Sequence, residues 1–552
     1  MSRKIKREKT SEYRASNALL RSIRWVTDVY LILLICIYPF VIKPGYASTS
    51  FMKYKFLTGI SYYLDLGFIV VPTFIPIVIT LATFGMIKYL KETKKSIFVF
   101  IKEIRLSAPD IAVLIYMISL LLSSLVASNK KELLWGYPTW NMGLASQVLF
   151  ICLYFIISRF FNLYELELMT YATLVSSAGV FIIEILQKLG INAFGLYDGK
   201  KMVNRMVSTI GNINWFSSYN TFFIALSAFI VCYFDKSTKI YKAGIFHLII
   251  SSASLVTQNS DSAFAGLFML MSVLLVCTSD SMDRMMAFIE TILVVLLTFR
   301  SVGFVRYLRG DNASIMADLS IIMTQGIIMW VPITILIVVY IYLFFRRKRG
   351  NAFNPHISGF MPKVIILMLV LILTGCVTYI IINTNGLLPE KYSSDSRYLY
   401  YDMYWGSKRG ALWRDTVMSL KEEFKAEPLK VIFGAGADQY YSVVEKYVSE
   451  QIKAVIKSVA TNAHNEWLTA FVNYGIIGGI AYSGIFISSL VRYAKHRRIL
   501  PYVIAVAGCI AAYMAHNMFS FQQFVCTPYA FVALGIGEQI IRTGYKGLEE
   551  GL

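Results

Sequence analysis

Apolar runs long enough to cross a bilayer recur along almost the whole chain, and they constrain its fold more than any other feature. They lie near 26–42, 67–88, 110–127, 142–161, 167–187, 214–234, 243–257, 263–278, 286–304, 325–345, 363–383, 466–490, 501–519 and 526–542. A hydrocarbon core of about 30 Å needs roughly 20 helical residues. Backbone amides in lipid must bond within their own segment, so such runs become helices. The expectation is an all-α integral membrane protein, a polytopic helical bundle of about 12–14 spans. The lower counts apply if 243–257 and 263–278 form one re-entrant pair. Composition agrees: 57% of the 552 residues are hydrophobic and 16% charged, against roughly 45–50% and about 25% in soluble domains. A disordered chain, a disulfide scaffold and an ordinary cytosolic enzyme are excluded. The seven cysteines are odd in number and sit almost entirely inside the apolar runs, so they read as small core residues.

Lys and Arg total 53 against 33 acidic residues, a net charge of +20. In a soluble protein that excess would suggest nucleic acid. In a membrane protein it marks cytoplasmic loops, and no nucleic-acid partner is expected. The tail 1–25 is basic, and the first apolar run lacks a small-residue cleavage site, so it reads as a span. One membrane domain, 26–552, follows. With the tail inside, Lys88, Lys91, Lys94, Lys95, Lys102 and Arg105 fall in one inside loop. Lys236, Lys239 and Lys242 fall in the next, then Arg346, Arg347, Lys348 and Arg349, then Arg492, Lys495, Arg497 and Arg498. Both termini come out cytoplasmic, in a multi-pass protein of the plasma membrane. One outside segment, FRSVGFVRYLRGDN at 299–312, is basic and runs against the pattern.

Between 384 and 463 no run is long enough to span, and the same orientation places this loop outside. Within it, 407–424 carries a helical stripe of Arg409, Trp413, Val417, Leu420 and Phe424, and Pro428 ends the segment. This is expected to be an amphipathic helix on the outer membrane surface or on the spans.

Three segments gather polar chemistry at the outer ends of spans. NRMVSTIGNINWFSSY, 204–219, contains Arg205, Asn212 and Asn214. SKRGALWRD contains Arg409, Trp413 and Arg414, and VIFGAGADQY after it contains Gly434 and Gly436. TNAHNEWLTAFVNYGIIGG contains His464, Asn465, Glu466, Gly475 and Gly478. Arginine binds phosphate oxygens through paired, charge-assisted bonds, although a lone interfacial Arg also snorkels to headgroups. A histidine before a helix N-terminus is disfavoured as imidazolium, which suits a base, although it could equally serve as a cap. Glu466 stands beside it, while His247 and His516 lie within spans and read as core. FGAGAD lacks the Lys-Ser/Thr of a phosphate loop and reads as a turn. No Cys/His cluster has metal-ligand spacing.

Together these segments resemble the O-antigen ligase and O-antigen polymerase superfamily of bacterial membrane glycosyltransferases. The resemblance rests on RMVSTIGNIN at 205–214, on RGALWR at 409–414 with FGAGADQY at 433–440, and on AHNEWL…YGIIGG at 463–479. It implies a GT-C-like fold and glycan transfer from undecaprenyl diphosphate to an acceptor hydroxyl on the extracytoplasmic face. The reaction would be inverting, with no metal or cofactor. The acceptor could be a second glycan, a lipid or a protein, so polymerase and ligase both fit, each working with polysaccharide-assembly partners. On this resemblance His464 is the essential histidine, with Asn465 or Glu466 orienting it. Arg205 and Arg409 hold the diphosphate, with Arg414 grouped beside them. Two departures stand out: NSDSA at 259–263 replaces a Ser-Arg pair, and Asn212-Ile213-Asn214 replaces Asn-Pro-Asn. The competing class is a transporter or flippase for lipid-linked glycans, which predicts inverted repeats and helices broken at the midplane.

Overall fold

The computed structural model describes residues 19–46, 49–58, 70–93, 105–197, 206–310, 316–350 and 355–545. Arg205, Lys94, Lys95, Lys102 and tail residues 1–18 lie outside the described residues. The described chain is helical throughout, apart from a two-residue ladder that pairs Met206–Val207 with Gly211–Asn212.

In chain order the principal helices begin with α1 (Leu19–Phe40), α2 (Thr49–Thr58), α3 (Val70–Thr93), α4 (Ala108–Val126) and α5 (Leu144–Phe160). The central group is α6 (Leu166–Lys188), α7 (Ile213–Tyr233), α8 (Lys239–Thr257), α9 (Ser262–Thr278) and α10 (Met282–Arg309). After α11 (Asp318–Gln325) come α12 (Trp330–Lys348) and α13 (Pro355–Thr384). The large loop folds as α14 (Trp405–Ala426), α15 (Pro428–Phe433) and α16 (Tyr440–Ile456). The chain then returns through α17 (Glu466–His496), α18 (Tyr502–His516) and α19 (Thr527–Thr543).

Among the described residues, nine helices are long and apolar enough to cross a membrane, and shorter apolar helices such as α5, α9 and α18 pack among them. The protein is an all-α polytopic membrane protein. Local chemistry sets several helix starts. Ser107 and Asp110 form a reciprocal capping box on α4, while Asn212 and Thr238 cap α7 and α8. The centre is α7, whose most apolar window is 94% buried, packed against α8, α9, α10 and α18. It is buried all round, and its polar side chains bond inside the bundle, Asn220 to Ser251 O and Ser217 to His516. By contrast, the corresponding window of α13 is 0% buried, so this helix offers its side chains to lipid.

The amphipathic helix forms, but its faces are not arranged as the stripe implies. Val417 and Phe424 are exposed, whereas Leu412, Asp415, Thr416, Ser419 and Glu423 are buried towards α16. Thr416 and Tyr440 share a hydrogen bond of 2.6 Å, and Lys446 reaches Glu423 at 3.2 Å. The polar side of α14 is therefore satisfied inside the loop subdomain, while Val417 and Phe424 of the stripe face outward and Trp413 and Leu420 pack against the subdomain core. α14 also starts later than its nominal bounds, because residues 406–408 have left-handed backbone angles.

Candidate functional site

His464 sits in the link from α16 to α17, and its neighbours fix the backbone while leaving the ring free. Its φ is +47°, an uncommon value for a non-glycine residue. The Asn462 side chain accepts from His464 N at 2.9 Å, Thr469 Oγ1 accepts from Ala463 N at 3.1 Å, and Asn465 caps α17 by accepting from Leu468 N at 2.9 Å. The imidazole lies edge-on to Phe521, with ring centres 5.1 Å apart, and its Nδ1 is buried with no hydrogen-bond partner. Burial, and after it the Arg409 cation, holds the His464 pKa down at about 3. The ring is thus neutral, as expected from the sequence, but burial rather than the helix terminus is the main cause.

Arg409 follows the left-handed turn 406–408 and opens the regular part of α14. Its Nε donates to Phe519 O at 2.8 Å and its Nη1 to Gly406 O, so backbone carbonyls aim the guanidinium without neutralising it. Burial lowers its pKa to about 10, opposed by the Asp261 carboxylate. It remains a cation at neutral pH, within electrostatic reach of both His464 and His516. One turn further on, Trp413 stacks on Phe519 at 6.1 Å and 21°. A fixed cation, a neutral histidine and an aromatic wall therefore meet where α14, α17 and the 517–526 turn converge.

Glu466 does not orient the histidine. It turns into the bundle, where its carboxylate accepts from Tyr482, Tyr513 and Asn517, and its backbone N donates to Asn517 O at 2.9 Å. Those bonds saturate the carboxylate and tie α17 to α18. Asn465 is likewise occupied, as the cap. The geometry departs here from the expected roles of both residues. Arg414 lies five residues beyond Arg409, about 140° around a 3.6-residue helix. It is exposed and pairs with Asp415 at 2.8 Å instead of joining Arg409. Asn212 accepts from Asn214 N at 2.8 Å, capping the helix that brings Ser217 to His516.

The four motif glycines share one task. α17 is broken at Gly475, where φ is +71° and ψ is −176°. The carbonyls freed by the break are taken up from outside: Val472 O by Ala435 N at 3.0 Å, Asn473 O by Gly436 N at 2.9 Å, and Tyr474 O by Ser119 Oγ at 2.9 Å. Gly434 and Gly436 hold the left-handed angles that lay 434–436 along the break, and Gly478 leaves room for Ser119. Asp438 closes the same turn, accepting from Tyr137 N at 2.7 Å and Met142 N at 3.2 Å. Burial raises its pKa to about 7. A raised carboxyl pKa means that the folded state binds more protons than the unfolded state between about pH 4 and pH 7, so its contribution to stability is lost as pH rises through that window. Asp438→Asn keeps one acceptor oxygen for both amides. Its melting temperature should therefore fall less than that of wild type between pH 5 and pH 7.5; parallel losses would refute this.

Two groups in the site were not singled out from sequence. His516 and Asn517 repeat the His-Asn pair of 464–465, and that repeat was the available signal. His516 Nδ1 meets Asn517 Oδ1 at 2.7 Å, and its Nε2 meets Ser217 Oγ at 3.0 Å. Asp261, in the departing NSDSA segment, receives Tyr398 OH at 2.7 Å and Arg397 at 3.6 Å from the large loop. An apolar cavity of about 1100 Å³, lined by Phe222, Phe229, Cys509 and Val532 among others, lies near the opposite ends of these helices and does not reach His464.

No curated protein matches the chain. The O-antigen ligase family model matches residues 312–483, a stretch that contains Arg409, the glycine pairing at 434–436 and 475, and His464. Over that part of the chain, where the cation, the histidine and the broken helix come together, the protein is similar to the O-antigen ligase family.

Proposed function

We propose that the protein transfers a glycan from a lipid diphosphate, undecaprenyl diphosphate by analogy with the family, to an acceptor hydroxyl at the loop end of the bundle, facing outward. The observation that carries this reading is the pairing of Arg409, a buried cation with no directly bonded carboxylate, with His464, a neutral imidazole whose Nδ1 is unused. The guanidinium suits the diphosphate, whose negative charge grows as the glycosidic bond to it breaks. His464 Nδ1 suits the acceptor hydroxyl: it orients that oxygen towards the anomeric carbon and takes its proton as the new bond forms, inverting the centre. A base whose conjugate acid has a pKa near 3 draws a proton only weakly, so orientation and late transfer dominate its role. Trp413 and Phe519 offer flat apolar faces next to the cation, where sugar rings can lie.

The transporter reading gains little from the structure. It predicts broken helices whose freed backbone groups line a transport site, but the carbonyls freed at Gly475 are taken up by the 434–436 segment and Ser119.

The test is transfer by purified protein given a lipid-diphosphate oligosaccharide and candidate acceptors. Absence of product with every acceptor would sink the reading. Within that assay, Arg409→Gln should lower kcat/KM by about 100-fold or more, the usual loss for a donor to developing charge. Arg409→Lys keeps the charge without the fork and should fall between the two. Full activity in Arg409→Gln would remove the diphosphate role.

A further inference from the structure

A second cluster of basic side chains lies at the loop end, in the segment that broke the charge pattern. Of its three arginines, two are accounted for. Arg300 covers the Trp330 ring at 5.1 Å and donates to Gly326 O at 3.1 Å. Arg309 donates from Nε and Nη2 to Leu189 O, at 3.2 and 2.7 Å, and so fastens the end of α10 to the end of α6. Arg306 is different: its Nε and Nη1 are buried and have no hydrogen-bond partner.

Its surroundings do not supply the missing acceptor. Lys188, in the last turn of α6, is 5% exposed and within electrostatic reach of Arg306, so a second cation adds to the problem. The nearby carboxylate is Glu184, one turn before Lys188, and both of its oxygens already accept from Thr257 Oγ1, at 3.0 and 2.9 Å. Two cations thus share one engaged anion, and the guanidinium keeps unsatisfied donors in a poorly solvated place. Orphaned charged donors are among the costliest features a fold can carry. They are tolerable where an anion completes them.

The neighbours indicate what kind of anion. Phe304, Tyr307 and Leu308, on the same stretch of α10, are 63%, 80% and 68% exposed, large apolar side chains next to the cations. In a membrane protein such side chains meet lipid, which brings lipid phosphates within the reach of these cations. We propose that Arg306 and Lys188, steadied by Arg309, bind the phosphate of a membrane lipid whose chains run along the exposed face of α10. Guanidinium nitrogens in a fixed fork match phosphate oxygens in pairs. The same chemistry belongs to an anionic phospholipid and to the diphosphate of an isoprenyl carrier. The site stands without the transferase reading; with the carrier as ligand, it would add a second contact for the donor.

The test uses full-length protein, purified in detergent, and two probes: phosphatidylglycerol and undecaprenyl diphosphate. Affinities are read by native mass spectrometry for wild type, Arg306→Gln and His464→Asn. Arg306→Gln should lose about tenfold or more in affinity for one probe, and the arm that shows the loss identifies the source. His464→Asn should bind both probes as wild type does, since the imidazole is assigned to the acceptor hydroxyl and not to phosphate. Unchanged affinity of Arg306→Gln for both probes overturns the proposal. Should that variant fail to fold, photoreactive analogues of the two probes on wild type decide: labelling within 299–310 supports the site, and labelling only elsewhere overturns it.

Discussion

Replacing His464 with asparagine should lower kcat for glycan transfer by about 10²–10⁴-fold, the range lost when a positioned acid–base group is removed. Asparagine is the informative choice because it tolerates the φ of +47° that the position imposes. The Asn462, Asn465 and Thr469 bonds that fix this link do not use the imidazole, so the fold should survive. Melting temperature should stay close to wild type while turnover collapses. The pH profile gives a second reading. Burial and Arg409 hold the ring neutral down to about pH 3, so its protonation should not limit the rate near 6.5. Wild-type activity should be flat with respect to this group through neutrality, and its loss should set in only as pH falls towards 3. The stability linkage has the matching sign. The unfolded state binds the extra proton between about 3 and 6.5, so this contribution to stability is complete above 6.5 and is lost as pH falls through that window. An acidic limb in kcat centred near 6.5 that disappears in His464→Asn would contradict a buried neutral histidine.

The helical membrane class was legible because it depends on length and composition alone, and lipid enforces both. The positions of Arg409 and His464 were legible because motif spacing survives without knowledge of tertiary contacts. Their partners were not. Glu466 is two residues from His464, yet the turn into α17 sends its carboxylate to Tyr482, Tyr513 and Asn517, up to 51 positions away in sequence. Proximity in sequence misled at that point because a helix start reverses side-chain direction within two residues. The stripe on α14 misled for another reason. Hydrophobic periodicity identifies an apolar face, but it cannot tell whether lipid or protein covers it. Asp415 and Glu423 are buried because Arg414 and Lys446, side chains of the loop subdomain itself, neutralise them. FGAGAD read as a turn, and the 434–436 segment does turn the chain. What no local pattern disclosed is that it completes a helix 40 residues further on.

That pairing makes Gly475→Ala the substitution with the largest expected structural effect. The glycine's angles, φ +71° and ψ −176°, belong to a region open almost only to glycine. A Cβ there would stand 2.3 Å from Ile432 O and 2.4 Å from Gly434 N, both backbone atoms that no rotamer change can move. Relief requires lifting 432–436 away from the break, which forfeits the Ala435–Val472 and Gly436–Asn473 bonds and exposes carbonyls that lipid cannot satisfy. Backbone strain of about 1–3 kcal/mol and two orphaned carbonyls at about 1–3 kcal/mol each compare with a total stability of about 5–15 kcal/mol. Gly475→Ala should therefore fail to accumulate as a monodisperse protein in size-exclusion chromatography. The control is Gly484→Ala in the same helix, where the new methyl meets only Ala112 Cβ at 3.8 Å. Alanine is the better helix former, so this variant should melt no lower than wild type. The contrast isolates the break from any general sensitivity of α17. If Gly475→Ala melts within about 1 °C of wild type, a shift worth about 1 kcal/mol for a chain this long, the backbone pairing is not what holds the broken helix open.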